Sequence, residues 1–181
     1  MVDAERAWQV LREAELVCSE ANTAAAVRKV AQDITRRLER KVPLVLSVMG
    51  GGVVFAGQLL PLLHFPLEVD YIHVTRYAGA TRGGDIDWKV VPRTSVSGRS
   101  VLVLDDVLDE GKTLAAVRER LLKDGAAEVL LAVFCEKDLG RPKPVRADFV
   151  GTLLPNKYLF GFGMDVNEAW RNLPAVYALK E

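Results

Sequence analysis

Residues 101–114 read VLVLDDVLDEGKTL: four apolar residues run into Asp105 and Asp106, a third acid follows at Asp109, and Gly111-Lys112-Thr113 opens a helical stretch. Two adjacent carboxylates at the end of a buried strand repel each other and lie where a sheet delivers side chains to a crevice. Ionised carboxylates only accept hydrogen bonds, so such a pair suits the hydroxyls of a sugar or a hard cation. The Gly-Lys-Thr turn places backbone N–H groups at a helix N-terminus, a cradle for a phosphate. Without a ligand, the same acids would be ordinary strand-end charges and helix caps.

Two better-known phosphate motifs fail on the text. A P-loop requires glycine five positions before Gly111, where Asp106 stands. In a glycine-rich dinucleotide fingerprint, the third glycine after Gly50 and Gly52 would fall on Phe55, and Gly161-Phe162-Gly163 leads to Val166.

These groups need elements to carry them. Residues 4–16 and 20–41 read as helices; in the second, Ala26, Val30, Ile34 and Leu38 recur four apart and Pro43 ends the run. PLVLSVM (43–49) is a continuous apolar run, the mark of a strand buried on both faces, and glycines 50–52 lead into a helix over 53–63. Further strands are expected at 69–75, 101–106, 129–137, 148–154 and 158–165, with a helix over 112–123. From Arg76 to Pro92 the composition turns to Gly and polar residues, which predicts a mobile loop running into a short hairpin arm. Apolar strands alternating with helices predict an α/β fold, a mainly parallel twisted sheet flanked by helices. Its ligands belong at the carboxyl ends of the strands, in the loops after Met49, Leu104 and Cys135.

The 181 residues suit a single domain over 1–181 whose core needs no staples. Lys plus Arg (24) balance Asp plus Glu (24), which argues against a nucleic-acid partner. Residues 42–67 carry no charge, but Pro43, Pro61, Pro66, three consecutive glycines and His64 argue against a membrane span. The charged N-terminus has no apolar signal stretch, and Cys18 and Cys135 lack metal spacing. A cytoplasmic protein with reduced core thiols is the expectation.

Two acids after a hydrophobic strand, followed by x-x-Asp-x-Gly-x-Thr, resemble the phosphoribosyl-pyrophosphate (PRPP) motif of type I phosphoribosyltransferases. From about residue 15 to the C-terminus the chain resembles the hypoxanthine-guanine branch. SVMGGG resembles its pyrophosphate loop, and VDYIHVTRYAG the start of its flexible catalytic loop. CEKDLGRPKPVRADFVG and LLPNKYLFGFGMDVNEAWRNLPAVYAL resemble its purine-binding and hood segments, the hood combining the N-terminal stretch with residues 151–181.

The resemblance implies transfer of the 5-phosphoribosyl group from PRPP to hypoxanthine, and to guanine, with Mg²⁺ as cofactor and a homodimer or homotetramer as the assembly. Asp105 and Asp106 would hold the ribose hydroxyls, directly or through Mg²⁺, and Asp109 would accept a proton near N7 of the purine. Residues Asp109, Glu110, Gly111, Lys112 and Thr113 would wrap the 5′-phosphate. Lys137 would donate to the 6-oxo group, Tyr158 would stack on the ring, and the Leu159 backbone would read its edge. Asp165 would support Mg²⁺, while Gly50, Gly51 and Arg171 would meet the pyrophosphate and Arg76 and Tyr77 would start the flexible loop. The plainer alternatives are a core Tyr158, an Asp165 that only caps a turn and an Arg171 paired with a surface acid; the three tryptophans read as core or arm packing, except that Trp88 could face a partner subunit.

Three positions depart from the family pattern: Gly50 where lysine is usual, Glu110 where Thr or Ser is usual, and Arg76 where Ser is common. A carboxylate beside a phosphate is unfavourable, so the Glu110 side chain is expected to point away while its N–H still binds. A cis peptide at Met49–Gly50 is a further implication of the resemblance. Other readings of the same fold are a phosphoribosyltransferase for xanthine or adenine, a PRPP-sensing regulator, and a catalytically silent subunit.

Overall fold

A computed structural model describes residues 3–76 and 86–180. Six strands form the main sheet in the order β4-β3-β2-β5-β6-β7: β2 Leu44–Met49, β3 Glu68–Arg76, β4 Ile86–Val90, β5 Ser100–Leu108, β6 Glu128–Asp138 and β7 Phe149–Pro155. All neighbours are parallel except β4, which returns antiparallel along β3. The expected hairpin arm is therefore present. Its tip, with Tyr77, lies outside the described residues.

The helices cover both faces, which is why β2, β5 and β6 are apolar almost without interruption. On one face lie α2 (Glu20–Leu38) and α3 (Gly52–Leu59), the latter followed by a 3-10 turn at Leu60–Leu62. Ser19 caps α2 by accepting from the Asn22 N–H, and Ala26, Val30, Ile34 and Leu38 are all buried against the sheet, as their spacing predicts. On the other face α4 (Lys112–Lys123) buries Leu114, Val117 and Leu121. Trp88 on β4 packs into this second core with the Arg120 guanidinium 5.6 Å from its ring centre, so within the chain it faces α4.

The connections create the crevice. From β2 the chain crosses through α3 to β3; from β5 it crosses through α4 to β6, in the opposite direction along the sheet. That reversal between β2 and β5 is where open α/β sheets bind ligands. Pairing between them stops at Ser47↔Leu104; β2 continues to Met49 and β5 through Asp105 and Asp106 with no ladder between them.

The chain ends depart from the sequence reading. Helix α1 (Ala4–Glu13) does not reach residue 16, and Glu15–Cys18 form strand β1. Helix α2 ends at Leu38, three residues before the expected limit. The strand expected over 158–165 shrinks to β8, Leu159–Phe160, because Gly161 and Phe162 turn left-handed and break the extended run. A short C-terminal strand, β9 (Val176–Ala178), joins β1 and β8 into a separate antiparallel sheet, β1-β9-β8. Trp8 of α1 meets Trp170 edge-on at 4.9 Å, and the Trp170 indole N–H donates to the Ala7 carbonyl at 3.0 Å. Helix α1 thus braces the segment that carries Arg171.

Candidate active site

Asp105 and Asp106 occupy the expected place at the end of β5. Asp106 is buried, and its Oδ1 accepts from the Val107 N–H at 2.8 Å; Asp105 Oδ1 accepts from the Asp106 N–H at 3.0 Å. Burial and the neighbouring Asp106 carboxylate push Asp105 well above the usual carboxylate range. Burial raises Asp106 as well, against the lowering effect of hydrogen bonds from Asp105 and the Val107 N–H. The hydrogen bonds and the Arg171 charge offset this burial only in part. Hydroxyl groups or a hard cation would offset the rest.

The loop after β2 approaches this pair closely. A methyl group on Gly51 would come within 2.5 Å of the Asp106 carboxyl carbon, so only glycine lets the two segments meet as they do. The Met49–Gly50 peptide is cis.

Helix α4 begins at Gly111, whose φ of +80° suits glycine and which offers no side-chain cap to the first turn. The N–H groups there have no intrahelical acceptors, and the helix dipole favours an anion in front of them. Thr113 lines a cavity of about 240 Å³ together with Asp105, Asp106 and Asp109. Glu110, one of the three departures from the family pattern, pairs with Lys112 at 3.1 Å and with Arg141 at 3.4 Å.

A second cavity, of about 250 Å³, shares Asp106 and Asp109 and is lined further by Lys137, Tyr158, Leu159, Met164, Asp165 and Arg171. Lys137 Nζ donates to Asp109 Oδ2 at 3.0 Å; the lysine side chain is 13% exposed and the aspartate 37%. This sets a donor beside an acceptor at the mouth of the crevice. Tyr158 is 55% exposed, which removes the core alternative. Asp165 caps its turn by accepting from the Glu168 N–H at 2.9 Å and also pairs with Arg171 Nη2 at 2.6 Å. Arg171 Nη1 donates to the Gly163 carbonyl at 2.6 Å, so its acid partner belongs to the cavity wall and not to the open surface.

Met164 in the wall and Lys143 behind Lys137 escaped the sequence reading. Met164 lies on a stretch expected as strand. Lys143, between two prolines in a loop, carries no local mark that separates it from a solvated lysine.

The phosphoribosyl transferase domain family matches residues 19–168. The hypoxanthine-guanine phosphoribosyltransferase of Lactococcus lactis is 33% identical over 92% of this chain and 91% of its own length. The chain belongs to the phosphoribosyltransferase family, in its hypoxanthine-guanine branch. The hypoxanthine-guanine-xanthine phosphoribosyltransferase of Tritrichomonas foetus is 34% identical over 86% of this chain and 85% of its own. The same fold occurs in a hypoxanthine phosphoribosyltransferase from Staphylococcus aureus, with a TM-score of 0.87 over 94% of each chain at 23% identity. The segments that resemble the family's site by sequence lie at the crevice between β2 and β5 and in the wall built from 158–171. Of the departures from its pattern, Arg76 ends β3.

Proposed function

We propose that this protein transfers the 5-phosphoribosyl group from PRPP to a 6-oxopurine, hypoxanthine or guanine, releasing pyrophosphate and forming the nucleoside monophosphate. The observation that carries the reading is the Lys137–Asp109 pair, donor and acceptor 3.0 Å apart on one wall. A 6-oxopurine presents its 6-oxygen and N7 side by side along one edge. With a proton on N7, that edge offers an acceptor to Lys137 and a donor to Asp109.

The residues then divide the work. The Gly111–Thr113 turn holds the 5′-phosphate at the α4 N-terminus, and Asp105 and Asp106 accept from the ribose hydroxyls. Gly50, Gly51 and Arg171 face the pyrophosphate, Tyr158 stacks on the purine, and the Leu159 backbone lies along its edge. As the C1–O bond to pyrophosphate breaks, positive charge builds on the ribose, as in glycoside chemistry. Purine N9 bonds to C1, and the N7 proton passes to the Asp109 carboxylate.

Mg²⁺ suits the donor chemistry, since it binds through one or two carboxylates completed by substrate oxygens and needs no all-protein cage. Asp105, Asp106 and Asp165 offer hard oxygens, and no cluster of three metal-ligating side chains occurs among the described residues. When bound, the ion would neutralise charge on the departing pyrophosphate. Asp165, already held by the Glu168 N–H and Arg171, would reach such an ion through water.

Among the described residues no helix is long and apolar enough to cross a membrane. With both cysteines free and buried, a cytoplasmic protein acting as a homodimer or homotetramer completes the proposal. The test is PRPP-dependent turnover, followed by absorbance, with hypoxanthine, guanine, xanthine and adenine. Turnover of hypoxanthine supports the reading; failure on every base returns the fold to a sensing or silent role.

A further inference from the structure

Lys143 has no part in the chemistry above, yet its side chain is only 7% exposed. Lysines are almost never buried unless paired. Its Nζ donates to three acceptors: the Leu108 carbonyl at 2.9 Å, the Lys137 carbonyl at 2.7 Å and Glu136 Oε1 at 3.0 Å. An ammonium has three N–H groups and no acceptor, so every bond it can make is made.

The acceptors lie where two strands part. Strands β5 and β6 pair as far as Leu108↔Glu136, and their ladder goes no further. The next residues are Asp109 on one side and Lys137 on the other, the pair proposed to read the purine edge. Lys143 spans the gap, gripping the carbonyl just before Asp109 and the carbonyl of Lys137 itself. Without the ammonium, two carbonyls and the Glu136 carboxylate would face one another with nothing between, and like partial charges would drive the strand ends apart.

We propose that Lys143 is a positioning residue that clamps the ends of β5 and β6, so that Asp109 and Lys137 present acceptor and donor to the base at a fixed separation. The inference rests on the purine reading of that pair. Misplacing catalytic groups by about 1 Å can cost on the order of a hundredfold in rate, so a clamp of this kind acts on function before it acts on the fold.

The test compares the wild-type protein with Lys143→Met, which keeps an unbranched side chain and removes the donors, and with Lys143→Arg, which keeps donors and charge. In Lys143→Met, amide hydrogen exchange read by mass spectrometry should accelerate in 108–110 and 136–138 by about tenfold or more, with β2 unchanged. Its KM for hypoxanthine should rise by about tenfold while the Kd for PRPP moves by less than about threefold, and Lys143→Arg should recover part of both effects. Should Lys143→Met not fold, Lys143→Arg against wild type carries the same comparison, with smaller changes in the same two segments. Unchanged exchange in those segments overturns the clamp, whatever the substrate. Faster exchange with an unaltered hypoxanthine KM overturns its role in base positioning. A wild type that turns over no 6-oxopurine contradicts the functional reading instead, and the exchange comparison still decides the clamp.

Discussion

Gly51 lies against the carboxylate of Asp106, close enough that a methyl group on Gly51 would come within 2.5 Å of the Asp106 carboxyl carbon. The loop after β2 and the acid at the end of β5 are therefore fitted to each other. In Gly51→Ala the carboxylate has to yield, because the obstructing atoms are a side-chain end and not backbone. Overpacking of this kind costs roughly 1–3 kcal/mol. The variant should fold with a lowered melting temperature and bind PRPP at least about tenfold more weakly, as read by titration calorimetry. Wild-type affinity would separate Asp106 from the ribose.

Asp109→Asn keeps the size of the side chain and removes the proposed proton acceptor. Turnover should fall by roughly 10²–10⁴, the usual worth of a positioned general base, with PRPP binding retained. Near-normal kcat would take Asp109 out of the mechanism.

Glu110 is turned toward Lys112 and Arg141. Exposed pairs of this kind contribute about 1 kcal/mol or less. Glu110→Thr should leave stability nearly unchanged and bind PRPP as tightly as the parent or more tightly, since an anion leaves the phosphate loop and two cations are released beside it. A tenfold loss of affinity in calorimetry would give the Glu110 carboxylate a positive role.

Glu128 ties the sheet to α2 at the opposite end of the strands. It pairs with Lys41, accepts from the Ser100 hydroxyl at 2.6 Å and meets Arg37 at 3.1 Å. The Lys41 and Ser100 hydrogen bonds hold its pKa below the ordinary glutamate value. Its contribution is then complete above the unfolded-state pKa of about 4.3 and disappears as pH falls through the lower folded value. Glu128→Gln should destabilise by about 1 kcal/mol or less at neutral pH and by progressively less as the pH is lowered below about 4.3, measured by urea unfolding across that range.

The parallel core was legible because its strands are continuous apolar runs and α2 keeps a four-residue repeat; Val30, Ile34, Leu46 and Leu104 are all fully buried. The acids of 105–109 and the Gly111 turn could be read because a strand, a carboxylate pair and a helix start follow one another in the chain. The small sheet was not, since β1 pairs with β9 some hundred and sixty residues later and each strand has only a few residues to show a pattern. Gly51's fit to Asp106 and Lys143's grip on Leu108 and Lys137 are likewise meetings of distant segments. Lys137 was reached through family resemblance, and its partner Asp109 could be confirmed as a neighbour only in three dimensions.

The central claim is that the Lys137–Asp109 pair reads a 6-oxopurine. An ammonium can donate to a 6-oxygen but cannot accept from a 6-amino group, so adenine would bring donor against donor. Sites built on a hydrogen bond can reject the wrong partner by several powers of ten. The decisive measurement is the ratio of kcat/KM for hypoxanthine to that for adenine in wild type and in Lys137→Ser. The account expects a large ratio in the wild type that collapses in the variant, chiefly through loss of hypoxanthine turnover. An unchanged ratio would contradict it and move base recognition to Tyr158 and the Leu159 backbone.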